Sequence, residues 1–477
     1  MAQVPEQPLI AIVGATGTGK SDLAVEIARK FDGEIINGDA MQLYQGLPVI
    51  TNKITDEETK GVPHHLLGCI GLEQETWTVG KFVSNALATI DEIRSRGKLP
   101  ILVGGTHYYT QSLLFKDALS KEPALNLNEN SEHFPILDEP TSVILEKLRE
   151  VDPVMADRWH PNESRKIQRS LEIYLRTGKP ASQVYDEQRI KREIEQNDAD
   201  SNRGESSTGL RFPTLLFWVH ADKDVLYPRL DGRVDKMLAR GLLNEVDELT
   251  KFRNDYEART GTAVDQSRGI WVSIGYKEFL SYQSALTDSS LAPSELEKQK
   301  TAAIEKTQAA TRQYSSRQAR WIRIKLLNAL FGAGYKSNMF LLDGSDLSQW
   351  EKEVTHRATT ITDSFLSGQP LPDPFSLSAA AAENLTPKRS YDLSQRPDKW
   401  QKRVCETCGT VSITENDWKL HGQSRAHRRA VGIKKKQANK QANKGASQGE
   451  DRSAAQAEVV DVLESFLDGQ AREDPRA

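Results

Sequence analysis

The chain has 477 residues, 38% of them hydrophobic and 27% charged, which is typical of a globular protein with some unstructured sequence attached. At about 150 residues per domain, this length predicts about three domains, or two and a long tail. There are 63 lysines and arginines against 67 aspartates and glutamates, so with a net charge of −4 any nucleic-acid surface must be local. Three cysteines exclude a disulfide framework and favour a reducing compartment.

No apolar run reaches the roughly 18 residues of a membrane span, and an apolar strand pattern begins at about residue 9. We therefore expect neither a membrane anchor nor a secretory signal peptide. The expected location is the cytoplasm or the nucleus, and a mitochondrial pool from another start site stays open.

Strand and helix patterns alternate through the first third of the chain. Strands are predicted at residues 8–13, 34–36 and 99–103, and helices at residues 20–30 and 82–96. The third strand is apolar throughout, as buried strands of parallel sheets are. This alternation predicts a three-layer α/β domain.

The rest of the chain is more polar, and its strand at residues 214–219 is expected to rejoin the first domain. Glycine, serine and low-complexity stretches indicate linkers, and the polar end of the chain indicates disorder. The other predicted segments are charged helices at 142–150 and 165–176, a polar insertion at 187–211, one helix at 225–252 with Gly241 near its middle, an arginine-rich helix at 302–329, a linker at 376–394 and a disordered tail after Lys434.

The first strand runs into a complete phosphate-binding loop that opens the next helix. Glycines let backbone amides face phosphate oxygens, the helix N-terminus adds partial positive charge, Lys20 adds a full charge, and Ser21 can ligate Mg²⁺. The motif predicts a phosphate or pyrophosphate site without specifying a nucleotide. Its residues are Gly14, Ala15, Thr16, Gly17, Thr18, Gly19, Lys20 and Ser21.

An ATPase or GTPase usually has a second strand that ends in a Mg²⁺-binding aspartate. The best candidate strand here continues through His220 and Ala221 before it reaches Asp222. Two alternatives therefore stay open. One is an ATP-dependent kinase on the same loop, and the other is a non-catalytic RNA-binding protein in which the loop only grips phosphate.

Polar residues follow two further predicted strands. Asp39 comes after the second strand and Thr106 after the third. Because ligands bind at the carboxyl ends of parallel strands, both residues should share one edge of a cleft with the phosphate-binding loop. Asp39 would be either a helix cap or, beside the loop, a general base. The pair His64 and His65 lies in a predicted loop, as surface residues or as metal or catalytic groups.

Cations concentrate on three predicted helical segments, some of them interleaved with Tyr314, Gln318 and Trp321. Guanidinium groups mixed with aromatic and amide side chains suit RNA phosphates and unpaired bases, although a solvated helix face has the same composition. The cations are Arg165, Lys166 and Arg169 on the first segment, Arg229 and Arg233 one turn apart on the second, and Arg312, Arg317 and Arg320 on the third.

A compact Cys/His module lies near the C-terminus. Cys405, Cys408, His421 and His427 have the spacing of a C2H2 zinc finger. A module this short lacks enough core to fold without metal, so we predict a structural zinc site with every position filled by protein. The basic residues that follow it indicate a nucleic-acid patch, a nuclear address or a solubilising tail.

These residues, in this order, resemble the tRNA dimethylallyltransferases (tRNA isopentenyltransferases) of the eukaryotic type with a C-terminal zinc finger. The resemblance covers roughly residues 8–430. One departure is Ala40, where the family usually has serine after the aspartate. The matching segments are 14–21, 39–44, 50–53, 64–65, 104–109, 152–153, 160–163, 169–172, 229–237, 274–278, 311–321 and the finger.

The resemblance implies transfer of a dimethylallyl group from its pyrophosphate to the exocyclic amine of the adenosine immediately 3′ of the anticodon. It implies Mg²⁺ in catalysis, structural Zn²⁺, and tRNA and dimethylallyl pyrophosphate as partners of an expected monomer. Asp39 would accept the amine proton, and Thr16 with Arg229 or Arg233 would contact pyrophosphate. Contacts with tRNA are implied for Asp39, Ala40, Met41, Gln42, Thr106, Arg165, Lys166, Arg169, Lys277, Arg312, Arg317 and Gln318.

The predicted fold class is α/β, with a P-loop nucleotide-kinase-like parallel sheet, a helical insertion domain and a C-terminal zinc finger. The predicted domains are the P-loop core (1–118), a helical tRNA-binding insertion (119–212), the core continuation with arginine-rich helices (213–345), an extension and linker (346–396), the finger (397–433) and a disordered tail (434–477).

Overall fold

The computed structural model describes residues 4–116, 134–187, 190, 209–286, 288–387 and 400–445. These residues form two compact units: the larger holds residues 4–116 and the described part of 185–387, and the smaller holds 134–184 and 400–445. Within these ranges, no helix combines the length and the apolar character that crossing a bilayer requires. The insertion, linker and tail predictions for residues 117–133, 188–189, 191–208, 388–399 and 446–477 lie outside the described residues.

The larger unit is built on a parallel sheet. Its strands are β1 (Leu9–Gly14), β2 (Gly33–Asn37), β3 (His64–His65), β4 (Leu99–Val103), β5 (Thr214–His220) and β6 (Met339–Asp343). They lie in the order β3-β2-β4-β1-β5-β6. Ile10 of β1 pairs with Ile101 of β4 on one side and with Leu215 of β5 on the other. The predicted α/β fold class is confirmed, and the strand after the insertion does rejoin the first sheet.

Helices surround this sheet and make up most of the smaller unit. They are α1 (Lys20–Lys30), α2 (Asp56–Thr59), α3 (Val79–Ser95), α4 (His107–Leu114), α5 (Thr141–Val151), α6 (Pro153–Arg158), α7 (Ser164–Thr177), α8 (181–187), α9 (Lys223–Ala239), α10 (Leu242–Thr260), α11 (Tyr276–Leu286), α12 (Pro293–Trp321), α13 (Leu327–Gly332), α14 (Arg357–Leu366), α15 (Ala379–Asn384), α16 (Glu415–Gly422) and α17 (Arg425–Gly445).

Apolar side chains cover both faces of the sheet. Along β1, Ala11 joins a core that includes Phe82 of α3, whereas Ile12 joins a separate core that includes Leu23 of α1. Successive strand residues point to opposite faces, so a strand covered on both sides must be apolar at every position. The carboxyl ends of the strands are left to carry the polar residues.

In the smaller unit, Asp152 is 1% exposed and holds two helices together. Its carboxylate accepts hydrogen bonds from the backbone N–H groups of Met155, at 3.1 Å, and Ser182, at 2.8 Å. The hairpin of β7 (Trp400–Val404) and β8 (Val411–Thr414) belongs to the same unit, where Lys402 Nζ lies 3.1 Å from Asp157 Oδ1.

Several predicted boundaries are wrong. Gly241, with φ +98°, ends one helix and starts another, because its left-handed backbone interrupts the helical path that was predicted to be continuous. Residues 376–387 do not behave as a linker, since Ala381 and Leu385 are buried in the core. His64 and His65 form the edge strand β3, and helix α17 continues beyond Lys434 to Gly445.

Candidate active site

The phosphate-binding loop joins β1 to α1. Gly17 and Gly19 take left-handed backbone angles, with φ of +79° and +88°, which other residues adopt only with strain. A Cβ on Gly19 would lie 2.3 Å from the Cη2 atom of Trp350, so the indole ring packs directly against this turn. No motif in the sequence indicated the contact with Trp350.

Lys20 is the cation of the loop. Its Nζ donates a hydrogen bond to the Ala15 carbonyl at 2.7 Å, which directs the ammonium group over the loop. Burial lowers the pKa of Lys20 to about 8; the Asp39 carboxylate opposes this effect and Arg233 adds to it. A phosphate ligand would restore the charged form, because its negative charge stabilises the ammonium group in place of the water that burial excludes.

Asp39 follows β2 in a tight turn. Its backbone N–H donates to Asn37 Oδ1 at 3.0 Å, and its own Oδ1 accepts the N–H of Met41 at 3.0 Å. Burial raises the pKa of Asp39, and the hydrogen bond from Met41 with the charges of Lys20 and Arg233 opposes the rise. No helix begins at this position in the described chain, so Asp39 is not a helix cap.

Gln318 of α12 ties the loop to the turn after β4. Its Oε1 accepts the backbone N–H of Thr16 at 2.8 Å, and its Nε2 donates to the Gly105 carbonyl at 2.9 Å. The residue is 4% exposed, and Tyr314, one turn earlier on the helix, hydrogen-bonds to both Gln318 and Thr106. Burial, together with the charge of Asp39, raises the pKa of Tyr314 above its ordinary value.

Glycine at position 105 allows these groups to meet. A Cβ there would lie 2.6 Å from Gln318 Nε2 and 2.8 Å from Asp39 Oδ2. Thr106 Oγ1 accepts the backbone N–H of Ala40 at 3.0 Å, which joins the ends of β2 and β4. The predicted grouping of the loop, Asp39 and Thr106 at one edge of the sheet is therefore what the structure has.

The two arginines of α9 have different partners. Arg233 Nη1 donates to Thr16 Oγ1 at 2.9 Å, and burial lowers its pKa to about 10 against the opposing charge of Asp39. Arg229 instead donates to the carbonyl oxygens of Gly344, at 2.8 Å, and Ser345. This geometry favours Arg233 as the arginine at the phosphate-binding loop, and the catalytic role of Arg229 stays a prediction.

Glu245 of α10 is a structural residue of the site that the sequence did not reveal. Glu245 is 7% exposed. Its carboxylate accepts hydrogen bonds from the backbone N–H groups of Val49, at 2.8 Å, and Ile50, at 2.7 Å. Gln42 Nε2 donates to the Asn52 carbonyl at 2.9 Å in the same loop. One acidic residue on an amphipathic helix has no pattern of its own, so only the fold identifies this contact.

The histidine pair has local partners. His65 Nε2 lies 2.6 Å from Glu34 Oε2, and His64 Nδ1 lies 2.8 Å from the Val62 carbonyl oxygen. In the described ranges, neither histidine belongs to a group that could hold a metal ion. These contacts account for the pair as part of the sheet edge.

Several of the predicted tRNA-contacting cations are already paired within the protein. Lys166 contacts Glu163, Arg169 lies 2.8 Å from Glu172, and Arg312 pairs with Asp231. Arg165, Lys277 and Arg317 are exposed. A role in RNA binding stays a prediction for all six residues.

The Cys/His module forms a candidate metal centre. The ligand atoms of Cys405, Cys408, His421 and His427 all lie within 4.8 Å of one another. Hydrogen bonding, above all to His421, lowers the pKa of Cys405 to about 6, which favours the thiolate that a metal requires. This donor set fits tetrahedral Zn²⁺.

The fold and the site together define a P-loop α/β protein with a partly buried carboxylate beside its phosphate lysine. The model of the IPP transferase family matches residues 42–325. The tRNA dimethylallyltransferase of Schizosaccharomyces pombe is 37% identical over 452 residues, which span 91% of this chain and 97% of that protein. The Homo sapiens enzyme of the same name is 34% identical over 426 residues, 88% of this chain and 85% of that protein.

A crystal structure of a eukaryotic dimethylallyltransferase acting on tRNA superimposes with a TM-score of 0.69 at 34% identity, and the match covers 92% of this chain and 100% of that one. The chain belongs to the IPP transferase family.

The lowered pKa of Lys20 predicts a pH dependence of anion binding. Affinity for inorganic pyrophosphate should fall as the pH rises through about 8, because unliganded Lys20 loses its proton there. Calorimetric titrations from about pH 7 to about pH 9.5 measure the slope. In Lys20→Arg the guanidinium keeps its charge over this range, so this variant reports the titration of pyrophosphate and of the other groups at the site, such as Arg233, without that of Lys20. Equal slopes for both proteins would contradict the prediction.

Proposed function

We infer that this chain is a tRNA dimethylallyltransferase. It transfers the dimethylallyl group of dimethylallyl pyrophosphate to the exocyclic amine of the adenosine 3′-adjacent to the anticodon, and releases pyrophosphate. The relatives of that name, 34% to 37% identical over most of the chain, support this function, and they give no support to a kinase. The observation that carries the proposal is that the Asp39 carboxylate lies close enough to Lys20 of the phosphate-binding loop, and to Arg233, to interact electrostatically with both.

In the proposed reaction, the exocyclic nitrogen of adenine forms a bond to C1 of the dimethylallyl group while the C1–O bond to pyrophosphate breaks. The nitrogen becomes acidic as the bond forms, and Asp39 accepts its proton. The raised pKa of Asp39 suits this task, because a more basic carboxylate is the better proton acceptor. The adenosine must leave its stack to reach a carboxylate at the base of a turn, so we propose that the base is flipped out.

The leaving pyrophosphate needs positive charge as the bond breaks. The loop amides, Lys20 and Arg233 supply it, and Thr16 is held between Arg233 and Gln318 for the same purpose. Ser21 offers an exposed hydroxyl in the first turn of α1, a suitable ligand for Mg²⁺ bound to pyrophosphate. When bound, Mg²⁺ would neutralise part of the charge of the leaving group.

For tRNA we propose two sets of contacts. Thr106 and the turn of residues 39–42 contact the target adenosine, and exposed cations such as Arg165, Lys277 and Arg317 contact the RNA backbone. We further propose that the protein acts as a monomer in the cytoplasm or nucleus, where both tRNA and a reducing environment are available. The Cys/His module binds Zn²⁺ and holds the basic helix α17, which suits a nucleic-acid surface.

Asp39→Asn tests the reaction and the base together. With labelled dimethylallyl pyrophosphate, Mg²⁺ and unmodified tRNA, wild type should label the tRNA, and the variant should lose about 100-fold to 10,000-fold in kcat. Pyrophosphate affinity should hold or rise, because a negative charge beside the anion is removed. Asp22→Asn, an exposed carboxylate in the first turn of α1, is the matched control. No label with wild type, under conditions where tRNA binds, would disprove the transferase.

Gly105→Ala tests the packing of Asp39 against Gln318. The added methyl group must displace one of these two side chains, so we expect about a 100-fold loss of kcat in a folded protein. Gly332→Ala is the control, since nothing lies within 4 Å of a Cβ at that position. Turnover and the melting temperature should be measured on the same preparations. A variant with wild-type turnover would show that the contact is not needed.

Metal analysis of the purified chain tests the finger. We expect one zinc per chain in wild type and in Cys69→Ser, whose cysteine is exposed outside the cluster, and none in Cys408→Ser. Loss of zinc should unfold the module and expose it to limited proteolysis. It should weaken tRNA binding and leave pyrophosphate affinity unchanged. A zinc-free wild type with a protease-resistant module would contradict the assignment.

A further inference from the structure

His107 is the first residue of α4, directly after the turn that carries Gly105 and Thr106. It is 4% exposed, and in the part of the chain that the structure describes neither Nδ1 nor Nε2 has a hydrogen-bond partner. The proposed chemistry gives this residue no role, although it lies in the segment 104–109 that matches the family. It is thus a buried titratable group without an assigned function.

An unpaired imidazole in the interior is costly. A buried donor or acceptor without a partner has lost its hydrogen bonds to water without a replacement, and such groups are rare in native proteins. A residue that served only to fill space at this position would be apolar. The two ring nitrogens therefore indicate that a bound ligand supplies the missing hydrogen-bond partner.

The neighbours of the ring point to the kind of ligand. The ammonium group of Lys20 is close enough to interact electrostatically with the imidazole. Burial, and to a smaller extent the charge of Lys20, lowers the pKa of His107 to about 3. The ring is therefore neutral and adds a donor without adding charge next to Lys20. Thr110 lies one turn later on the same side of α4; it is 1% exposed, and its hydroxyl also has no partner within the described ranges.

We propose that His107 is a pyrophosphate-binding residue, whose ring N–H donates a hydrogen bond to a non-bridging oxygen of the diphosphate that Lys20 holds. This assignment rests on the proposed function for the identity of the natural ligand, dimethylallyl pyrophosphate. A neutral donor suits the position because it can stay in place after the anion leaves, without repelling Lys20.

The probe for this proposal is inorganic pyrophosphate, titrated calorimetrically into the full-length protein. His107→Phe keeps an aromatic ring and removes both nitrogens, so we expect about tenfold weaker binding, with the same change in KM for dimethylallyl pyrophosphate. The KM for tRNA should not change, and the melting temperature should hold or rise, because phenylalanine leaves no unpaired polar group at this buried position. His107→Gln, which restores a donor, should recover most of the affinity.

Ser112→Ala is the matched control. Ser112 is 1% exposed and its hydroxyl is also unpaired among the described residues, but it lies on the opposite side of α4 from His107. This variant should bind pyrophosphate as wild type does. An effect of the same size from Ser112→Ala would mean that α4 responds to any substitution, and it would overturn the assignment.

Wild-type pyrophosphate affinity in His107→Phe overturns the proposal. Should the phenylalanine lower the melting temperature, His107→Leu is the smaller apolar replacement, and the same tenfold loss is required of it. A wild type that binds pyrophosphate but transfers no dimethylallyl group to tRNA would disprove the proposed function. The binding result would still decide the role of His107.

Discussion

The side-chain amide of Gln318 makes the two hydrogen bonds on which the site depends. One bond holds the Thr16 amide of the phosphate-binding loop, and the other holds the Gly105 carbonyl in the turn after β4. These segments come from different strands of the sheet, and Gln318 comes from a helix some 200 residues beyond Gly105 in the chain. An amide can do this because it carries a donor and an acceptor at fixed geometry. Asp39 lies beside the junction, since a Cβ on Gly105 would touch both side chains.

This junction creates an unusual electrostatic environment. One carboxylate and two cations share a partly buried space. Burial raises the pKa of Asp39 and lowers those of Lys20 and Arg233, whereas the attraction between Asp39 and each cation opposes these shifts. Each charge is incompletely solvated in the free protein. A diphosphate would compensate the cations, and the positive amine nitrogen formed during transfer would compensate the carboxylate. The charges of the site are therefore arranged to stabilise the leaving diphosphate and the amine nitrogen. Charges that are held in place before the reaction lower its barrier in this way.

Two different kinds of interaction stabilise the functional parts of the chain. In the larger unit, buried polar contacts such as those of Glu245 and Gln318 position loops on a rigid parallel sheet. The Cys/His module has little core of its own, and we propose that its order depends on Zn²⁺ held by its four Cys and His side chains. The larger unit should thus tolerate zinc removal, whereas the module should not.

The sequence by itself was sufficient to predict the fold class, the position of the phosphate-binding loop, the location of Asp39 after β2 and the grouping of four Cys and His side chains. Each of these is a local pattern: an apolar run, a glycine spacing or a pair of short cysteine and histidine intervals. It also suggested the wrong structure for residues 376–387, since a run of alanines has no obvious core-facing side until Ala381 and Leu385 are seen buried.

Only the tertiary structure decided which arginine reaches the loop, that Trp350 packs against the loop, and that Glu245 holds the segment of residues 49–50. Arg229 and Arg233 lie one turn apart on the same face of α9. Their partners differ because Arg233 contacts the phosphate-binding loop, whereas Arg229 contacts the turn after β6. Contacts between segments hundreds of residues apart produce no recognisable spacing pattern in the sequence, because they depend on where the sheet places the end of each strand. Local motifs can be recognised in the sequence, whereas the fold determines which of their side chains meet in one site.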